Sequence, residues 1–180
     1  MKLAFTYALF MTLSGAALML LLYFLGFQSS VEKFQAGQWI GGIGGVALSA
    51  VFLALAMREK RADFPAVEEW GYGNALGAGV LTGLFASLFG IVTAYFYFFV
   101  LNPEFSEINH QVQIRAMEAK GMSPADIAKI EPAMRMFSKP ALLLVFQVIG
   151  GFFFSTIISL IVAIFFRKRE QPPVVATPAT

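Results

Sequence analysis

Three features of the chain predict an all-α integral membrane bundle of four transmembrane helices, with a short helical external segment between helices 3 and 4. Four stretches, 3–27, 39–57, 73–101 and 141–166, contain no charged residue. Each holds about 19 residues or more, enough for a helix rising ~1.5 Å per residue to cross ~30 Å of hydrocarbon. Hydrophobic residues make up 58% of the 180 and charged residues only 13%, with 20 Phe. A soluble domain of this size has no core large enough to hide such runs. Basic residues, finally, gather at the ends of the stretches and not inside them, as the membrane environment requires.

The first stretch, 3–27, is about twice as long as a signal-peptide core. No small-x-small cleavage pattern precedes a polar start, so it is expected to be retained as the first span. The second, 39–57, ends directly before Arg58, Lys60 and Arg61, and the fourth ends directly before Arg167, Lys168 and Arg169. Positive flanks face the cytoplasm. The expected topology therefore has both termini inside, and the connection 28–38 and the segment 102–140 outside. Five basic and five acidic residues in that long segment balance one another. Aromatic residues mark the boundaries expected at headgroup level, among them Trp39, Trp70, Tyr72 and the run Tyr95–Phe99.

The external segment reads as two short helices. Pro103 opens the first, Phe105, Ile108, Val112 and Ala116 give it one apolar stripe, and Gly121 stops it. Ser123, Pro124 and Asp126 form a fresh helix start, with Ser as N-cap and Pro at the first helical position. Ile127, Ile130, Met134 and Phe137 supply its apolar face, and Pro132 is expected to kink or shorten it. The tail 170–180, with three prolines, reads as disordered and cytoplasmic. The membrane domain is thus 1–169.

Helices in lipid gain little from hydrophobic burial, so their contacts depend on close backbone approach through small residues at four-residue spacing. The second span carries Gly37, Gly41, Gly45 and Ser49. The third carries one row of Ala75, Gly79, Gly83 and Ser87, beside another of Ala78, Thr82, Ala86, Gly90 and Ala94. The fourth carries Gly151, Ser155, Ser159 and Ala163. We take Gly37, Gly41, Gly45, Ser49, Gly79, Gly83, Gly90, Gly151, Ser155 and Ser159 as the helix-packing set, with the third span as the central helix.

Several landmarks follow one another in a distinctive order. Trp70-Gly71-Tyr72-Gly73-Asn74-Ala75 leads into the third span, and Tyr95-Phe96-Tyr97-Phe98 leads to Asn102-Pro103-Glu104-Phe105. Gly121-Met122-Ser123 and then Phe137-Ser138-Lys139-Pro140 precede the last span. Over about residues 3–169 this resembles the bacterial four-helix membrane family known as domain of unknown function 4199. The resemblance implies the same architecture and a bacterial inner-membrane location, and brings no catalytic residues.

Reactive chemistry is thinly represented. The chain has no Cys and one His, which leaves it without thiolate chemistry and without the second histidine a carboxylate metal site would need. His110 and Glu107 share one helical face, and a solvated face is the expected reading. The glycine run 41–45 lacks the Lys-Ser/Thr of a phosphate loop. No acid or base lies inside a span, where a proton- or ion-coupled carrier would keep one. Gln147 is the strongest polar group near the fourth span, and the hydroxyls elsewhere are expected to bond their own helices. The net charge of +2 and basic pI come from residues beside the spans, which argues against nucleic acid as a partner. The expectation is a non-enzymatic protein without cofactors, partnered by the bilayer and by another membrane or periplasmic protein or its own copies. An oligomeric channel or small-solute permease is the alternative.

Overall fold

The computed structural model describes residues 1–64 and 70–167. Those residues form six helices and no strand. The expected disordered tail, 170–180, lies outside them, as do Lys168 and Arg169.

Four helices are long and apolar enough to cross a membrane: α1 (Lys2–Phe24), α2 (Val31–Ala62), α3 (Tyr72–Phe96) with its continuation Tyr97–Leu101, and α6 (Pro140–Phe165). Two polar helices, α4 (Phe105–Ala119) and α5 (Pro124–Phe137), connect α3 to α6. α1 closes at Phe24, three residues before the expected limit. Gly26 takes a φ of +78° there, and the Phe27 N–H turns back to Leu22 O at 2.9 Å. Only glycine adopts that conformation without strain. α2 begins eight residues before Trp39, because nothing in 31–38 breaks a helix. Its 32 residues run about 48 Å at ~1.5 Å each, well beyond the ~30 Å of hydrocarbon.

The bundle is apolar outside and small inside. Buried positions on α3 are Ala75, Gly79, Thr82, Gly83, Ala86, Ser87 and Ala94, and on α6 they are Ser155, Ser159 and Ala163. Val92, Ile149, Phe153 and Phe154 point outward with 61–71% of their surface exposed. Water would not tolerate that surface, whereas lipid tails solvate it. α3 packs against α1, α2 and α6.

One end of the bundle is closed tightly. Met57, Trp70, Ala75 and Ala163 form a buried cluster, and the Trp70 indole N–H donates to Phe166 O at 2.6 Å. The Tyr72 hydroxyl donates to Leu160 O at 3.1 Å, and the Tyr7 hydroxyl to the Glu59 carboxylate. These aromatic donors at the helix ends join α1 to α2 and α3 to α6.

At the opposite end α3 finishes in a π-helical turn, Tyr97–Leu101, closed by Asn102 N–H donating to Tyr97 O at 2.8 Å. That turn buries both Tyr97 and Phe98. The Tyr97 hydroxyl donates to the Gln28 side chain and accepts from Asn102 Nδ2 at 3.0 Å, while Nδ2 also donates to Gln28 O at 3.0 Å. The α1–α2 connection is thereby tied to the root of α4.

Candidate interaction surface

α4 lies over the first turns of α2. The Phe34 ring, buried, sits 5.3 Å from Phe105, and Arg115 reaches Glu32 at 3.4 Å. Gly121, at φ +81°, ends α4 with Met122 N–H returning to Met117 O at 3.2 Å. Ser123 then caps α5, accepting from Asp126 N–H at 3.2 Å, with Pro124 at the first helical position. The chain folds into a hairpin here because stop and start signals stand side by side. α5 runs unbroken past Pro132 to Phe137, so that proline neither shortens nor divides it.

The two helices meet around Ile108 and Ile127, both buried, and around His110. His110 is 2% exposed, which corrects the expectation of a solvated face. Its Nε2 lies 3.4 Å from Glu131, and its Nδ1 is buried without a partner among the described residues. Glu131 also accepts from Arg135 at 3.0 Å, and Arg135 approaches Glu107 at 3.9 Å. Arg135 first, then His110, hold the Glu131 carboxyl below its usual range. Lys129 and Ser123 do the same for Asp126, while for Glu32 a backbone hydrogen bond acts ahead of Arg115. Ser106 closes the hairpin by donating to Ser138 O at 2.5 Å. Glu107 accepts from Gln111 Nε2 at 3.2 Å. Among the described residues no three His, Asp or Glu gather as a metal site would need.

Two surfaces of the hairpin remain open. α5 turns Ile130, Met136 and Phe137 outward, and the Phe137 ring sits 6.1 Å from Phe146 on α6. Between the start of α2 and α4 lies a cleft of about 560 Å3, where Gln35, Gln38, Asn109 and Gln113, beside the Glu32–Arg115 pair, share the lining with Val31, Val112, Ala116 and Ala119.

The helix-packing set divides into two groups. A Cβ added at Gly79 would come within 2.9 Å of Ser159 Cβ, and one at Gly83 within 2.8 Å of Ser155 Cβ. A Cβ added at Gly151 would lie 3.7 Å from Ser87 Oγ, one at Gly37 2.8 Å from Phe27 O, and one at Gly41 3.2 Å from Leu22. Gly45 and Gly90 do not sit in a helix seam: a Cβ at either meets nothing within 4 Å, and both line a cleft with Ser49. Spacing overlooked Gly44, whose Cβ would lie 2.7 Å from Leu18, three residues beyond Gly41 on the same face. It also overlooked Met57, which fills the notch at Gly79. The span hydroxyls of Thr12, Thr82, Ser87, Thr93, Ser155 and Thr156 donate to carbonyls of their own helices.

Comparison with curated proteins and with solved structures returns no match. Over residues 6–168, however, the chain matches the family described as Protein of unknown function (DUF4199), and it belongs to that family.

Proposed function

We propose that this is a non-enzymatic accessory protein of a bacterial inner membrane, with cytoplasmic termini, whose bundle holds the α4–α5 hairpin out to a partner. The observation that carries this reading is the mixed polar and apolar cleft between α2 and α4. Four carboxamides line it, and each offers both a donor and an acceptor. That lining suits the backbone of an extended peptide from another membrane or periplasmic protein. The hairpin is anchored by Phe34–Phe105, the Tyr97–Asn102–Gln28 knot and the Glu32–Arg115 pair, so the cleft is a pre-formed surface. The ridge of Met136 and Phe137, with Arg135 and Lys139 beside it, suits contact with the membrane surface instead.

The channel reading has less support. Ser155 and Ser159 are 3% and 0% exposed and face α3 within one chain, so they offer no wall to a pore between copies. Photo-crosslinking in cells from Gln113 tests the partner reading. A discrete protein adduct is expected, and recovery of lipid alone overturns it. A reporter fused after Gly121 tests the orientation; a cytoplasmic signal reverses it.

A further inference from the structure

The bundle that closes tightly around Gly79 and Gly83 opens toward the hairpin end. There α2 leans on α1 through Gly41 and Gly44, and a cleft of about 940 Å3 remains between α2 and α6, floored by α1 and α3. It falls within the range of ligand pockets, ~300–1,000 Å3. Its lining runs from Trp39 to Ser49 on α2 and from Phe146 to Ile158 on α6. At ~1.5 Å per residue that is roughly 15–18 Å, the depth of one leaflet of a ~30 Å hydrocarbon core.

The walls are bare in an informative way. Gly15, Gly42, Gly45, Gly90 and Gly150 come from all four spans and line this one space, and a Cβ on any of them would meet nothing within 4 Å. Gly41, Gly44, Gly79 and Gly83, by contrast, stand where another helix presses close, and of the mid-span glycines outside the cleft only Gly77 is equally free of contacts among the described residues. Here glycine, a weaker helix former than alanine, stands where no protein presses, and its effect is to keep the space open.

Polarity is graded along the cleft. Gln147 and Trp39 lie at the hairpin end, and the Gln147 amide is exposed with no hydrogen-bond partner among the described residues. It sits seven residues into α6, roughly 10 Å from its start, where an unmet amide in hydrocarbon is costly. Farther in, Thr12, Ser87 and Ser155 donate their hydroxyls to backbone carbonyls, and Ser49 adds one further hydroxyl to an otherwise apolar trough.

We propose that this cleft binds one membrane phospholipid, with an acyl chain laid along the glycine walls and an ester carbonyl accepting from the Gln147 amide. A helix of a second copy fits less well. A volume of about 940 Å3 over ~17 Å has a cross-section of roughly 55 Å2, against roughly 80 Å2 for a helix ~10 Å across.

The test uses the full chain in nanodiscs of palmitoyl-oleoyl phosphatidylglycerol, with a diazirine side chain in place of Gly90. Val92, 71% exposed on the outer surface, is the control position. On illumination the Gly90 position is expected to gain the mass of one phospholipid with at least fivefold the yield at Val92. Gln147→Leu and Gly45→Leu should each remove that excess while leaving the Val92 yield unchanged, and unfolding in mixed detergent–SDS micelles followed by circular dichroism reports that the bundle is intact. Equal yields at the two positions, an adduct with a second protein chain, or an excess that survives both substitutions would overturn the proposal.

Discussion

Replacing Gly83 with alanine probes the α3–α6 seam most directly. The new Cβ would stand 2.8 Å from Ser155 Cβ, where carbon atoms normally rest at ~3.5–4.0 Å. Ser155 Cβ is fixed to its backbone, so no flexible side-chain end can swing aside. The helices must part locally by roughly 0.7–1.2 Å, loosening the neighbouring Gly79–Ser159 and Ser87–Gly151 contacts. Overpacking of this kind costs about 1–3 kcal/mol, or roughly a 5- to 150-fold shift in the folding equilibrium. Gly90→Ala is the matched control, since its Cβ meets nothing within 4 Å. It should be neutral or gain up to about 1 kcal/mol from helix propensity. Reversible unfolding in mixed detergent–SDS micelles, followed by circular dichroism, measures both. Adding Ser155→Gly to Gly83→Ala should recover at least half of the loss, giving a coupling energy of about 0.5–3 kcal/mol. If Gly83→Ala and Gly90→Ala prove equally stable, the seam is not where the geometry places it.

Three further outcomes follow. Ser159→Ala removes a buried hydroxyl that has no partner among the described residues, so the variant should be at least as stable as the parent in the same assay; a loss above about 1 kcal/mol would show that the hydroxyl is bonded. Tyr97→Phe deletes the hydroxyl shared by Gln28 and Asn102 and should cost about 1–2 kcal/mol, with faster amide exchange confined to the α1–α2 connection and the start of α4. Glu131 titrates below its ordinary range because Arg135 and His110 favour its charged form. Its stabilising effect is therefore complete above the ordinary glutamate value of ~4.3 and is lost as pH falls through the lowered one. Protection factors in α5, with the intrinsic pH dependence of amide exchange divided out, should stay high from about pH 5 upward and fall in acid, a response that Glu131→Gln should flatten.

The spans and the hairpin were legible for different physical reasons. Lipid demands length and freedom from charge, and those can be counted along the chain. The α4–α5 turn is written in local chemistry, since Gly121 permits a positive φ and Ser123 and Pro124 satisfy a new helix start. What lies across from a given face is another matter. Gly41 and Gly45 share one row in α2, yet the first meets Leu22 and the second meets open space, because the angle between helices decides the neighbour. His110 was misplaced because its burial depends on α5 folding back over α4. The eight-residue extension of α2 before Trp39 was hidden because its polar residues end the apolar count without ending the helix. Nothing in Tyr97–Leu101 announces a π turn, which reflects tertiary demand more than propensity.

That wide turn also sets the phase of what comes after it. One residue more than an α-helix would use advances the chain by roughly 100°. Deleting any single position between 97 and 101 would swing Asn102 about a third of a revolution away from Gln28 and carry the helix beyond it off its seat on Phe34. Length at this spot is consequently under tighter constraint than side-chain identity, so conservative substitutions should be absorbed there while one-residue indels uncouple the hairpin from the rods beneath it.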